Sequence, residues 1–413
     1  MSRKINVALV GISGYGEQYL DSLLFDPRAA AVNFVGVADR APNRCIRLDE
    51  LQARRIAVHD NLPNLLAAVP VELLMIATPI HLHAPHACLA ANRGASVMCE
   101  KPLAGSWRDA QRLLACERAF KGFIGIGYQW SYCKPIQDLK HDIMAGLLGK
   151  PVKMKSLVSF PRGYSYFARN DWAGKIRTAG GEDVIDSPVN NAAAHYLHNM
   201  LYLLGETRET AVTPAAVQAE LYRANAIENY DTAFLRITTG AGTEVLFYAT
   251  HSVAERIGPK TSLEFENATV TYDFLGSGTF VAQFRDGTVK NYGNPNLDRN
   301  EKIWHAVEAV HTGRPLPCTV KTAIPHTMCS VAAQRATIHE FPESLRGPAR
   351  SDDDQMVVVH ELQDTLTECY NRELLPSEMR HVSWAGPSET IDFRTNDLIR
   401  QATESGESQA VPA

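Results

Sequence analysis

The chain has no surplus of positive charge, no paired-cysteine motif and no long apolar run, and each absence removes a class of function. Across 413 residues, 41 Lys plus Arg are scattered among 46 Asp plus Glu, for a net charge of -5 and a pI near 6.3. Without a basic field to neutralise phosphates, a nucleic-acid partner is not expected. The eight cysteines (45, 88, 99, 116, 133, 318, 329 and 369) form no CxxC pair, and several sit in apolar runs such as SVMCE. They read as small hydrophobes in a reducing compartment, with no disulfides. No stretch approaches the roughly 18 apolar residues of a membrane span. The start MSRKINVALVG enters a strand pattern without the apolar region of a signal peptide. A soluble, cytoplasmic protein without a membrane partner is the expectation.

What is present is a chain 45% hydrophobic, long enough for two domains, since single cores rarely grow past about 250 to 300 residues. From residue 5 to about 130, the short apolar runs INVALVG, NFVGVAD, VELLMIATP, SVMCEKP and FIGIGYQ alternate with helical patterns. That rhythm predicts βαβ units and a parallel sheet covered on both faces. From about 150, runs such as PVKMKSLVSF, TEVLFYATHSV and SLEFENATVTYDF are separated by GAG, GSG and DG turns. They predict an α+β domain with a large, mostly antiparallel open sheet. Helical patterns are expected over Pro188 to Leu204, over roughly Ala323 to His339, and in MVVVHELQDTLTECY at 356 to 370. QATESGESQAVPA has nothing to bury and is expected to be disordered.

The first strand pattern ends in VGISGYGEQYL, with Gly11, Ser13, Gly14, Tyr15 and Gly16. Glycine at 11 permits a tight turn, small residues at 13 and 14 admit a pyrophosphate, and Gly16 lets strand and helix pack closely. Asp39, at the end of the second strand pattern, suits the ribose hydroxyls of NAD. Arg40 beside it could reach a 2'-phosphate, which leaves NADP open.

Two further strand ends read ATPIHLHAPHA and MCEKPLAGS. A lysine at the carboxyl end of such a strand points into the crevice where ligands bind. Together with VGISGYG, VADR, AGLLGKPVKMKS and HYLHNMLYLLG, these segments resemble the family of glucose-fructose oxidoreductase, inositol 2-dehydrogenase and the rhizopine-catabolism protein MocA, over residues 4 to 340. The resemblance implies a Rossmann domain followed by an α+β domain whose sheet often builds an oligomer interface. It also implies NAD(P)-dependent redox chemistry on sugars and cyclitols. By position, Lys101 matches the family's catalytic lysine, and Thr78, Pro79, His83 and Glu100 match cofactor-lining residues. His195 matches the acid/base of the family's D-x-G-x-H-x-x-D element. Asn191, Ala193 and His198 stand where that element has Asp, Gly and Asp. The expected domains are 1 to 130 (dinucleotide binding), 131 to 345 (substrate and oligomerisation, as a homodimer or homotetramer), a C-terminal extension over 346 to 400, and a tail over 401 to 413.

Read as one helix with Ser187 as N-cap and Pro188 at its first position, DSPVNNAAAHYLHNMLYLLG places Asn191, His195, His198 and Tyr202 within roughly 60° of one another. The histidines then have three readings: metal ligands, packed side chains or an active-site face. No HExxH glutamate accompanies them, so no metal is expected. A histidine base suits neutral pH, whereas Asn191 cannot ionise and can only orient a hydroxyl or a ring. Upstream, PRGYSYFARNDWAGKIRTAGG offers aromatic and hydrogen-bonding side chains, Arg169 and Trp172 among them, for a carbohydrate. Gln129 is expected on the cofactor side, and Trp130 on the substrate side, of the pocket.

These readings converge on an NAD(P)-dependent dehydrogenase acting on a secondary hydroxyl of a sugar, glycoside or cyclitol, with Lys101, His195 and Asn191 at the chemical step. The rivals are a redox-neutral, NAD-dependent glycoside-cleaving enzyme and a non-catalytic NAD-binding sensor.

Overall fold

The computed structural model describes residues 3–297, 299–351 and 354–393. They form two compact units. One contains the chain up to Gln137 together with Thr207–Thr210 and Pro295–Ile324. The other contains Asp138–Glu206, Ala211–Asn294 and the chain from Pro325.

The first unit is built on six parallel strands: β1 (Ile5–Val10), β2 (Val32–Ala38), β3 (Ala57–His59), β4 (Leu73–Ile76), β5 (Ser96–Cys99) and β6 (Ile124–Ile126), in the order β3-β2-β1-β4-β5-β6. Every residue of β4, β5 and β6 is buried, which is why these runs are continuously apolar rather than alternating. The short β3 has no sequence signature of its own, so only five of the six strands stand out in the sequence. The helix Glu301–Thr312 packs on β1, β4 and β5 and ends at Gly313 in the left-handed conformation (φ 71°). This late return of the chain is absent from a linear division at residue 130. Because β1 pairs with β2 on one side and β4 on the other, the strand order reverses there. A crevice opens outside the carboxyl ends of the strands at that point.

The second unit is a large, mostly antiparallel sheet. Its strands are β7 (Pro151–Ser159), β8 (Pro214–Arg223), β9 (Thr232–Thr239), β10 (Glu244–Thr250), β11 (Lys260–Phe265), β12 (Ala268–Asp273), β13 (Phe280–Phe284) and β14 (Val289–Gly293), ordered β14-β13-β12-β11-β7-β10-β9-β8. Ile338–Glu340 and Glu389–Asp392 both pair with β8. The helix Leu362–Arg372 contributes Leu362, Leu366 and Cys369 to a core with Leu157, Phe234, Leu246 and Tyr248 of the sheet.

Three helical expectations change in the structure. The segment 356 to 370 divides into a strand, Asp354–Val359, and the helix from Leu362, because the β-branched VVV run pairs with Arg346–Ser351 and Glu361 turns through φ 67°. The second helix is Val320–Ala333 and stops before the strand Ile338–Glu340. Pro188 to Leu204 is also not one helix: Pro188–Ala192 is a π turn, and the α-helix is Ala194–Leu203. The expected tail, 401 to 413, and part of the C-terminal extension lie outside the described residues. No helix among the described residues is long and apolar enough to cross a membrane. All eight cysteines are free thiols, seven of them buried.

Candidate functional site

In the first unit the glycine-rich loop joins β1 to the helix Gly16–Phe25. Gly11 has φ 82°, and a Cβ there would lie 2.7 Å from the Ala77 carbonyl oxygen. A Cβ on Gly16 would lie 2.0 Å from the Gly11 carbonyl oxygen. Both positions therefore require glycine. Beside Gly14, by contrast, nothing lies within 4 Å, so the loop is open on that side. Ser13 Oγ is buried in this loop with no partner among the described residues, as expected of a group that meets a ligand oxygen. The helix start adds its positive dipole end, which favours a phosphate, and Gly16, Glu17 and Gln18 N–H donate to the Ser13, Gly14 and Tyr15 carbonyls (3.2, 3.2 and 3.1 Å) and so shape the loop. Asp39 leaves β2 with its carboxylate fixed by Ile12 N–H (2.9 Å) and Ala41 N–H (2.8 Å). Each carboxylate oxygen keeps acceptor capacity for a ribose hydroxyl. Arg40 is exposed beside it. The cradle, the orphaned hydroxyl and the placed carboxylate fit a dinucleotide.

The ends of β4 and β5 are tied together from behind. His83 is buried, with Nδ1 2.8 Å from the Pro102 carbonyl oxygen and Nε2 2.9 Å from that of Thr78. Burial pushes its pKa down, and a neutral ring can donate to only one of these carbonyls. His83 therefore joins the Thr78-Pro79 turn to Lys101-Pro102. Glu100 is buried, accepts from Tyr19 OH (2.6 Å) and Lys101 N–H (3.2 Å), and pairs with Lys302. Lys302 is fully buried. Burial pulls its pKa down, but Glu100 and Tyr15 outweigh burial and leave it raised. Tyr15, 44% exposed, reaches Gln129 Oε1 at 3.3 Å and Lys302 Nζ at 3.5 Å. Lys101 itself is half-buried at the carboxyl end of β5. Trp130 is 2% exposed and donates from Nε1 to Asn296 (3.1 Å).

In the second unit, the break at Ala193 (φ -110°, ψ 13°) and the wider π turn put Asn191 out of phase with the helix that follows. The expected polar face dissolves. Leu197 to Leu203 are buried without interruption, and only His195 and Tyr196 in the first turn remain half-buried. His198, expected at the substrate, is 1% exposed, stacks on Tyr202 (6.0 Å) and meets His326 edge-on (6.5 Å). Burial, then His326 and Lys140, hold its pKa well below the usual value. Lys140 donates to the Gly205 carbonyl (2.8 Å) and to that of Tyr202, a cation satisfying the helix C-terminus.

Asn191 has a partner that sequence reasoning missed. Its Nδ2 donates to Asp186 Oδ1 at 2.7 Å, while Asp186 Oδ2 accepts from Gly174 N–H (2.8 Å) and Arg169 (3.2 Å). A carboxylate five residues before Asn191 was the available signal. Arg169 lies over the Tyr166 ring (3.8 Å) and near Trp172 (5.4 Å). The loop and the π turn are thus joined through one buried carboxylate. Lys302 also had a signal, a lysine among the buried positions 303, 306 and 307 of its helix. Among the described residues no group of three or more His, Cys, Asp or Glu could hold a metal ion.

Residues 5–128 match the oxidoreductase family with an NAD-binding Rossmann fold. Among curated proteins, the chain is 27% identical over 256 residues to 1-carboxy-3-chloro-3,4-dihydroxycyclohexa-1,5-diene dehydrogenase of Comamonas testosteroni, covering 60% of each chain. It is 30% identical over 172 residues to inositol 2-dehydrogenase of Streptomyces avermitilis, covering 40% of this chain and 48% of that one. The chain thus spans about half the length of the curated relatives it matches. Among solved structures, the WlbA dehydrogenase from Bordetella pertussis, in complex with NADH and UDP-GlcNAcA, superposes with a TM-score of 0.64 at 19% identity, over 80% of this chain and 97% of that one. The shared architecture extends through both units.

Proposed function

We propose that this protein is a dehydrogenase of a secondary hydroxyl on a sugar, glycoside or cyclitol, a reading supported by the match of residues 5–128 to an NAD-binding oxidoreductase family and by the similarity to inositol 2-dehydrogenase and MocA. The observation that carries the reading is in the first unit: a glycine cradle with an orphaned Ser13 hydroxyl stands on the same sheet as a lysine at the carboxyl end of β5. NAD is the preferred cofactor, because the Asp39 carboxylate offers acceptors to ribose hydroxyls and would repel a 2'-phosphate. When bound, the nicotinamide supplies the hydride-accepting carbon.

The residues of the chain do the rest. The Ser13-Gly14-Tyr15 backbone and the helix start at Gly16 hold the pyrophosphate, and Thr78 and Pro79 shape the floor. Lys101, its N–H held by Glu100 and the next carbonyl, that of Pro102, by His83, holds and polarises the reacting oxygen. His195, from the second unit, takes the hydroxyl proton. Asn191, held by Asp186, orients a hydroxyl without ionising, and Arg169 and Trp172 offer a donor and a ring face to the substrate. The curated relatives named for cyclitol and dihydroxylated-ring substrates support this class. The test is a screen of sugars, glycosides and inositols that follows reduced-nicotinamide absorbance with NAD and with NADP. Steady reduction with a polyol is the expected result. Sugar release from a glycoside without net cofactor reduction would favour the redox-neutral alternative.

A further inference from the structure

Among the described residues, Arg162 and Arg256 of the second unit have no anionic partner. Arg162 lies 4.4 Å from the Tyr166 ring centroid and 5.6 Å from that of Phe160. Arg256, from the loop between β10 and β11, lies 5.1 Å from the same Phe160 ring and 5.7 Å from Phe274. The loop is held in place: Ile257 N–H donates to Ser159 Oγ (2.6 Å), and Ser159 N–H to the Ile257 carbonyl (3.2 Å). The Arg162 backbone is fixed by the His251 carbonyl (3.1 Å). Two guanidinium groups therefore flank one ring, and that ring sits 6.0 Å from Tyr196, the neighbour of His195.

The cations of this corner are not matched by free carboxylates among the described residues. Arg162 and Arg256 make no side-chain hydrogen bond or ion pair among the described residues, and Arg162 Nε is buried without an acceptor. The charged groups around Arg162 are Arg169 and Arg256. The described carboxylates nearby are committed: Asp186 to Arg169, Gly174 and Asn191, and Asp354, beside Gly163, to Ser165 N–H (3.1 Å) and Oγ (2.6 Å). Leaving a guanidinium partly desolvated beside two others is costly unless an anion completes it. Cation-π contact with Phe160 and Tyr166 offsets part of that cost and fixes the planes of both groups, while the N–H edges stay available for a planar anion.

We propose that Arg162 and Arg256 form an anion subsite for the substrate, which would then be a hydroxylated compound bearing a carboxylate or phosphate group. This assignment rests on the dehydrogenase reading and narrows it.

The experiment is calorimetric binding to the full-length protein with NAD present, using D-glucuronate and galactarate, glucose 6-phosphate and inositol phosphate, and neutral glucose and myo-inositol. At least one anionic compound should bind about 10-fold or more tightly than its neutral counterpart, and that preference should fall by about 10-fold in Arg256→Ala. Preference for sugar acids identifies a carboxylate, and preference for phosphorylated compounds a phosphate. Because Arg162→Ala could disturb packing, Arg162→Lys serves beside it; it keeps the charge but not the forked geometry, and should recover only part of the preference. The subsite is overturned if neutral compounds bind as tightly as anionic ones, if no anionic compound binds, or if the preference survives both substitutions. Turnover of neutral polyols with NAD would remove the subsite and leave the dehydrogenase standing. Anion-selective binding without any cofactor reduction would do the reverse.

Discussion

The side-chain amide of Asn191 donates a 2.7 Å hydrogen bond to the carboxylate of Asp186. The resemblance places Asn191 where related enzymes carry aspartate, so the position four residues before His195 is uncharged while a carboxylate stands one hydrogen bond away. Asn191→Asp would set two carboxylates against each other at that distance. One of them must then stay protonated to higher pH. The pH profile of kcat for this variant should acquire an additional ionisation above the usual carboxylate range, and a profile superimposable on wild type would contradict the arrangement.

Asp186 also joins Arg169 and Gly174 N–H. Asp186→Ala leaves a guanidinium and two N–H donors without their acceptor, and should lower stability by about 3 kcal/mol, read from the denaturant midpoint at constant slope. Asp186→Asn keeps the shape and some acceptor capacity, and should lose less.

Lys101→Ala and His195→Ala should each reduce kcat by at least about 100-fold, the contribution typical of a positioned acid-base group. Cofactor binding, followed by quenching of protein fluorescence, should survive in His195→Ala because the dinucleotide cradle lies wholly in the other unit. Near-wild-type turnover in either variant would remove that residue from the chemistry.

Lys302 and Glu100 are a buried pair behind the loop. Replacing either partner alone strands a charge in the interior and should cost about 3 to 5 kcal/mol, whereas Glu100→Gln with Lys302→Met should be much less harmful than the sum of the singles. A thermal-denaturation double-mutant cycle measures the difference. Additive losses would mean that the two side chains do not act as a pair.

Four histidines, three of them buried and His86 half-buried, set an acid limit on stability. Burial, foremost among the causes, depresses His83 and His198, takes His86 to about 4 and takes His251 to about 3. Unfolded histidines take up protons near pH 6.5, but these folded ones do not until much lower pH. Their contribution is therefore complete above about pH 6.5 and is lost as the pH falls toward 4. The slope is at most about 1.4 kcal/mol per pH unit for each histidine. Urea midpoints at pH 7.5, 6.0 and 5.0 should fall in that order, and His251→Gln should flatten the decline. Equal midpoints at pH 7.5 and 5.0 would refute it.

The sequence by itself determined the parts governed by local and short-range rules. Apolar runs alternating with helical patterns specified the parallel sheet, because strands buried on both faces must be apolar throughout. Gly11 and Gly16 were legible because only glycine tolerates the contacts of that turn, and Lys101 because a strand end followed by proline marks a crevice. The three-residue β3 was too short to carry a periodicity. Tertiary structure decided what periodicity cannot reach. It returned the helix Glu301–Thr312 to the Rossmann sheet and so made Lys302 the partner of Glu100, a pairing across about two hundred residues. It opened a π turn at Pro188–Ala192, which moved Asn191 off the helical phase and toward Asp186. It buried His198 and Trp130, whose residue types had suggested a pocket, because exposure depends on what packs around a side chain. It also set Arg162 and Arg256 about one phenylalanine ring, from segments whose spacing in the chain carries no sign of it.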